Sequence, residues 1–210
     1  MSAETDKLSL GDVVSAAGLA LALVTAWLYA AGWTYAYVYF DRFRIPLLML
    51  DIPFEHMLVY GGLVVRKNLG MALVCAALLI ASLWAIAYWS SRLGRFGTST
   101  VIVLIVVAVF ALARGAGNAT ALSDFADQRV SDYSAYPRVR VAWGGANAPA
   151  DEVAADILKS DCGRLLAVSK ERLFLIRPAR GASALDLDTF ILSSKKAEAL
   201  RIRADYGSCS

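Results

Sequence analysis

The chain has 210 residues, 58% of them hydrophobic, with a formal net charge of +3 and a mean hydropathy of +0.54. Soluble globular chains hold roughly 45–50% apolar residues, so this composition excludes an ordinary soluble protein and places part of the chain in a bilayer. After residue 114 there are 13 Lys/Arg against 12 Asp/Glu, interspersed along the sequence, which argues against nucleic acid as a partner, since that needs a one-sided basic stripe.

Three long apolar spans lie in the first 121 residues: Val13 to Phe40, Asn68 to Ser91 and Phe96 to Ala113, the last extended by Gly115 to Ala121. A helical crossing needs roughly 20 apolar residues, so three transmembrane helices are expected at about 13–40, 68–91 and 97–121. The run behind Met1 to Asp12 is longer than a signal-peptide core of roughly 7–15 residues, and the first span reads as a retained helix. It ends in Trp33, Tyr35, Tyr37, Tyr39 and Phe40 before Asp41 and Arg42, the pattern of an aromatic belt at a water boundary.

Residues 45–65 are apolar in pieces too short to span, broken by Pro46, Pro53, Asp51, Glu55 and His56. This segment is expected to be interfacial or re-entrant; the plainer alternative is a short loop and an early start of the second helix near Met57. Small residues recur at four-residue spacing in the later spans: Ala77, Ala81 and Ala85; Ala111, Gly115 and Ala119; Ala113, Gly117 and Ala121. Such ridges allow close helix packing, within the chain or between copies in a homo-oligomer.

Residues 122–136 read as a linker or helical extension, and residues 137–210 as a small α+β domain outside the membrane. Strands are expected at Arg138 to Trp143, Arg164 to Val168, Leu173 to Arg177, Thr189 to Leu192 and Leu200 to Ala204. A turn at Gly144 and Gly145 precedes a helix over Asp151 to Ser160, and Lys195 to Ala199 is expected to form a single helical turn. The fold class is thus an α-helical membrane protein carrying a small α+β C-terminal domain.

The chemistry offered by the residues is sparse. The only His is His56, and the three cysteines, Cys75, Cys162 and Cys209, form no CxxC pair, so neither a zinc site nor a Ser/His/Asp triad assembles from one chain. No catalytic, cofactor or metal site is expected. The polar candidates are the cluster Asp51, Glu55 and His56, with Asp51 and Glu55 on one face if that segment is helical, and a disulfide between Cys162 and Cys209 if the domain faces an oxidising compartment. Asn118 to Thr120 spells a glycosylation sequon.

The segment Tyr35 to Leu47, YAYVYFDRFRIPL, resembles a pattern in uncharacterised small bacterial three-helix membrane proteins: a Tyr-rich end of the first helix, then Phe-x-Ile-Pro. In that pattern Gly is the commoner residue where Arg44 stands. The resemblance implies two further helices, a short β-rich tail and a bacterial plasma (inner) membrane, and it supplies no activity. Positive charge leans toward a cytoplasmic C-terminal domain, with Arg42, Arg44, Arg66, Lys67 and Arg114 on its side against Lys7, Arg92 and Arg95. The expected function is a non-enzymatic membrane interaction or sensing module, partnered by the lipid bilayer and a further protein; the alternative is a subunit of an oligomeric channel or membrane-disrupting effector.

Overall fold

The computed structural model describes residues 10–131, 133–143, 163–177, 187–193 and 197–203. In chain order the elements are α1 (Leu10–Asp41), a 3-10 turn (Leu47–Met49), α2 (Phe54–Lys67), α3 (Leu69–Val130), β1 (Arg138–Trp143), β2 (Arg164–Val168), β3 (Arg172–Arg177), β4 (Asp188–Ser193) and β5 (Ala197–Arg203). They form two compact units: a helical unit of Met1–Tyr35 and Phe54–Thr120, and a sheet unit of Ala36–Pro53 and Ala121–Ser210.

In the helical unit, glycine sets how closely the helices approach. A Cβ on Gly32 would fall on the carbonyl oxygen of Met57, and one on Gly61 on that of Leu28, so α1 and α2 meet backbone to backbone. Gly117 meets the carbonyl oxygen of Ala31 in the same way. Only residues without a side chain permit such contacts. α2 supplies the early helix over much of 45–65, and its end turns through 96° into α3.

Asn68 stands at this turn. Its Nδ2 donates to the Val64 carbonyl oxygen (2.9 Å) and to Thr120 Oγ1 (2.7 Å), while the Thr120 hydroxyl donates to the Ala116 carbonyl oxygen (2.8 Å). Helical backbone is continuous over the 62 residues of α3, which would make a rod of about 93 Å. Asn68 and Thr120 would then lie about 78 Å apart, yet they are hydrogen-bonded. Ala76 and Val106 also line one cavity. The helical chain therefore reverses between Ala76 and Val106 and runs as two antiparallel arms.

The second arm continues to Val130, so the greater part of the 122–136 linker is helical. Among the described residues one stretch, Val103–Val130, is long and apolar enough to cross a bilayer; α2 with the start of α3 makes a second if that bent pair is a single broken span. The expectation of three transmembrane helices is met to that coarser extent.

In the sheet unit the strand order is β4-β3-β2-β1-β5, antiparallel throughout, with bulges in β1 near Trp143 and in β2 near Ala167. The strands lie where alternation predicts them, with one correction. Ala197 to Ala199, expected in a helical turn, begin β5, because Ala197 pairs with Trp143 and Ala199 with Ala142. The helix over 151–160 and the Gly144–Gly145 turn lie outside the described residues. β3 is buried on both faces, as its unbroken Leu173-to-Ile176 run dictates. On one face Leu173 and Leu175 join Val139 and Leu165 in a core flanked by Phe190 and Leu192; Phe174 and Ile176 are fully buried on the other.

Candidate functional site

The most elaborately built place in the sheet unit is the seat of the segment that follows α1. The helix stops because the Ile45 N–H bonds back to the Phe40 carbonyl oxygen (3.1 Å) and the Arg44 N–H to that of Asp41 (2.8 Å). These are the paired 6→1 and 5→2 bonds of a Schellman cap, with Arg44 in the left-handed position at φ 56°. Buried Phe40 and Ile45 make up the apolar pair that usually accompanies this cap, and Pro46 prevents the helix from resuming. The Phe-x-Ile-Pro sequence is therefore a helix stop, and its second residue, Arg44, takes the left-handed position.

The cap drives Phe43 inward, where it has no exposed surface. Its ring meets those of Phe125 (5.3 Å), Tyr39 (5.4 Å), Tyr133 (6.0 Å) and Tyr136 (6.4 Å) edge to face, an arrangement worth about 0.5–1.5 kcal/mol per pair beyond area burial. The hydroxyls of Tyr39 and Tyr136 are hydrogen-bonded to each other, and Thr189 Oγ1 on β4 donates to the Phe43 carbonyl oxygen (2.7 Å). The residues of the expected aromatic belt thus divide. Tyr35, Tyr39 and Phe40 are buried in protein, whereas Trp33 and Tyr37 remain exposed, Tyr37 at 55%.

Asp51 ends the same segment. It lies outside any helix with φ 47° and pairs with Lys170 Nζ at 3.3 Å, both side chains being well exposed. The shared helical face proposed for Asp51 and Glu55 does not form, because α2 starts only at Phe54. Glu55 and His56 are exposed in the first turn of α2, in the helical unit, while Asp51 belongs to the sheet unit. Among the described residues no three His, Cys, Asp or Glu side chains are placed to hold a metal ion. Cys162 and Cys209 lie outside the described residues; Cys75 is buried and unbridged.

The helical unit contains an apolar cavity of about 360 Å³, bounded by Trp27 and Leu28 of α1, Val65 of α2, Cys75 of the first arm of α3, and Val109 and Phe110 of the second. The Trp27 indole nitrogen is buried and has no hydrogen-bond partner among the described residues. Thr120 of the sequon is itself buried and committed to the Asn68 network. Gly115 to Thr120, which superficially resembles a phosphate loop, is helix, with Gly117 spent on packing.

Sequence reasoning marked Tyr39 and Phe40 as belt residues but missed Phe43, Phe125, Tyr133, Tyr136 and Thr189 as one seat. The usable signal was an aromatic helix end followed by Ile-Pro, which announces a capped stop with an inward apolar residue. Comparison of the chain with family models, with curated proteins and with solved structures finds no match.

Proposed function

We propose that this protein is a non-enzymatic integral membrane interaction or sensing module, with three helical crossings and a sheet unit that meets the partner. The observation carrying this reading is that the sheet unit is assembled from two distant chain segments, Ala36–Pro53 and Ala121–Ser210. The backbone passes between the units three times, twice within continuous helices, α1 and α3. A tethered tag needs one connection. Three connections, two of them helical, support a domain whose binding state is felt by the helices. The crossings are α1 and the two arms of α3, in a bacterial plasma membrane, and the charge count favours a cytoplasmic sheet unit.

Exposed apolar side chains on the strands, Val168 at 57% and Ile191 at 45%, are places for a partner to be caught. A photo-cross-linking amino acid at either position, in the full chain expressed in its native membrane, is expected to yield a discrete adduct. Absence of any adduct at both positions overturns the reading.

The second reading, an oligomeric channel or effector subunit, is favoured by one observation. Of the two ridges in the second arm of α3, Ala113, Gly117 and Ala121 are buried within the chain, whereas Ala111, Gly115 and Ala119 are exposed in line with Val103 and Val107. An adduct at twice the 22.6 kDa chain mass, with oligomers in nanodiscs, would select it; a strictly monomeric mass would eliminate it.

A further inference from the structure

The cavity of the helical unit is distinguished by its size and by its wall. At about 360 Å³ it is more than twice the roughly 150 Å³ at which an apolar cavity stays dry and takes up benzene. Close-packed interiors hold few voids larger than one water molecule. The side chains around it are hydrocarbon apart from the Cys75 thiol and the Trp27 indole nitrogen. That nitrogen is buried, so it offers no hydrogen bond to an occupant. A water molecule needs two to four polar partners and finds no more than a thiol. What fits this space is a hydrocarbon.

The cavity reaches the outer surface of the unit. Val24 on α1 and Ala76 on the first arm of α3 both line it and are both exposed, Val24 at 51%. One turn before them, on the same helix faces, Leu21 and Leu73 are exposed as well. The mouth between α1 and the first arm of α3 is therefore apolar outside as well as inside. A soluble ligand would have to leave water across an apolar rim, whereas in a bilayer this surface is already in contact with lipid chains. Left empty, the space would cost stability in proportion to its volume, and a chain entering it restores the missing dispersion contacts.

We infer that this cavity is a binding site for one acyl chain of a lipid, which enters sideways between α1 and the first arm of α3. The chain belongs to a phospholipid or to a free fatty acid, whose hydrocarbon chemistry is the same. The inference rests on the proposal above that the helical unit lies in a bilayer.

The test uses the full chain in phosphatidylcholine liposomes that carry a photo-activatable diazirine in an acyl chain, on phosphatidylcholine in one preparation and on a free fatty acid in the other. Adducts are mapped by peptide mass spectrometry. Lipid that merely surrounds the helices reaches exposed Leu73 and Val107, but not Cys75 and Val109, which lie on the cavity wall and are only 4% and 8% exposed. Labelling of Cys75 and Val109 as well as the outer pair is expected. If the phosphatidylcholine probe gives it, the chain is a phospholipid's; if the fatty-acid probe alone gives it, the chain is a free fatty acid's. Ala76→Phe places a ring at the mouth and is expected to lower wall labelling roughly tenfold or more, since displacing about two methylene groups already accounts for that factor. Outer labelling should be unchanged in this variant, and Ala77→Phe, exposed and off the wall, should alter neither. Outer labelling without wall labelling in the parent overturns the inference and leaves the bilayer proposal standing, whereas no labelling at either pair overturns both. Undiminished wall labelling in a folded Ala76→Phe also overturns the inference, and the parent comparison decides by itself if that variant does not fold.

Discussion

Arg44 pays a conformational cost that its neighbours make unavoidable. Its φ of 56° is set by the cap that ends α1, and for a residue with a Cβ the left-handed region costs about 1–2 kcal/mol. Arg44 is exposed, so Arg44→Gly should stabilise the sheet unit by about 1 kcal/mol after allowing for glycine's greater chain entropy. Arg44→Val should destabilise it, and thermal melts of both in one detergent check the signs. Phe43 makes the larger contribution. Phe43→Ala is expected to cost about 3–5 kcal/mol, as for a fully buried aromatic side chain. Thr189→Val, which removes the donor to the Phe43 carbonyl, should cost roughly 1 kcal/mol. The sequence made Phe43 look like one more residue at a membrane boundary, because hydropathy cannot distinguish a ring meant for lipid from one meant for another ring 82 residues further along the chain. Asp51 was misplaced for a related reason: whether it shares a helical face with Glu55 depends on where α2 begins.

At the scale of elements, the strands were legible and the helix reversal was legible only in outline. Alternating residues define a strand locally, as in Arg138 to Trp143, and a hydrophobic run such as Leu173 to Ile176 announces burial on both faces. Ala197 to Ala199 were not legible because a strand of small residues is specified by its partner, here β1. The glycine contacts of the helical unit give a sharp expectation. Gly61→Leu drives a side chain into the backbone of α1 at Leu28, and overpacking of this kind costs about 1–3 kcal/mol or more; Gly62→Leu, where a Cβ meets nothing, should be tolerated. Expression level and melting temperature of the pair in detergent distinguish a packed α1–α2 contact from a loose one.

At the scale of the whole molecule, the two antiparallel arms of α3 are the main constraint on the path of the helical chain. Cysteines introduced by Asn68→Cys and Thr120→Cys in a Cys75→Ala/Cys162→Ala/Cys209→Ala background should form an intrachain bridge on mild oxidation, visible as a mobility shift lost on reduction. A straight helix would hold the same positions about 78 Å apart and give none. Charge interspersed along the sequence predicts no basic stripe, yet antiparallel pairing sets Arg138 opposite both Arg164 and Arg203. Linear charge patterning is blind to register, which is decided only when strands distant in sequence pair. The hydrogen bond from Thr189 to Phe43 joins residues 146 positions apart, and this separation has a consequence during synthesis. At about 5–20 residues per second, the ribosome needs roughly 7–30 s after making Phe43 before the strand that receives it exists. Throughout that interval the apolar stop after α1 has no sheet to enter, so a nascent chain cut short before β4 carries an exposed aromatic segment next to a helix, a ready signal for chaperones and membrane proteases.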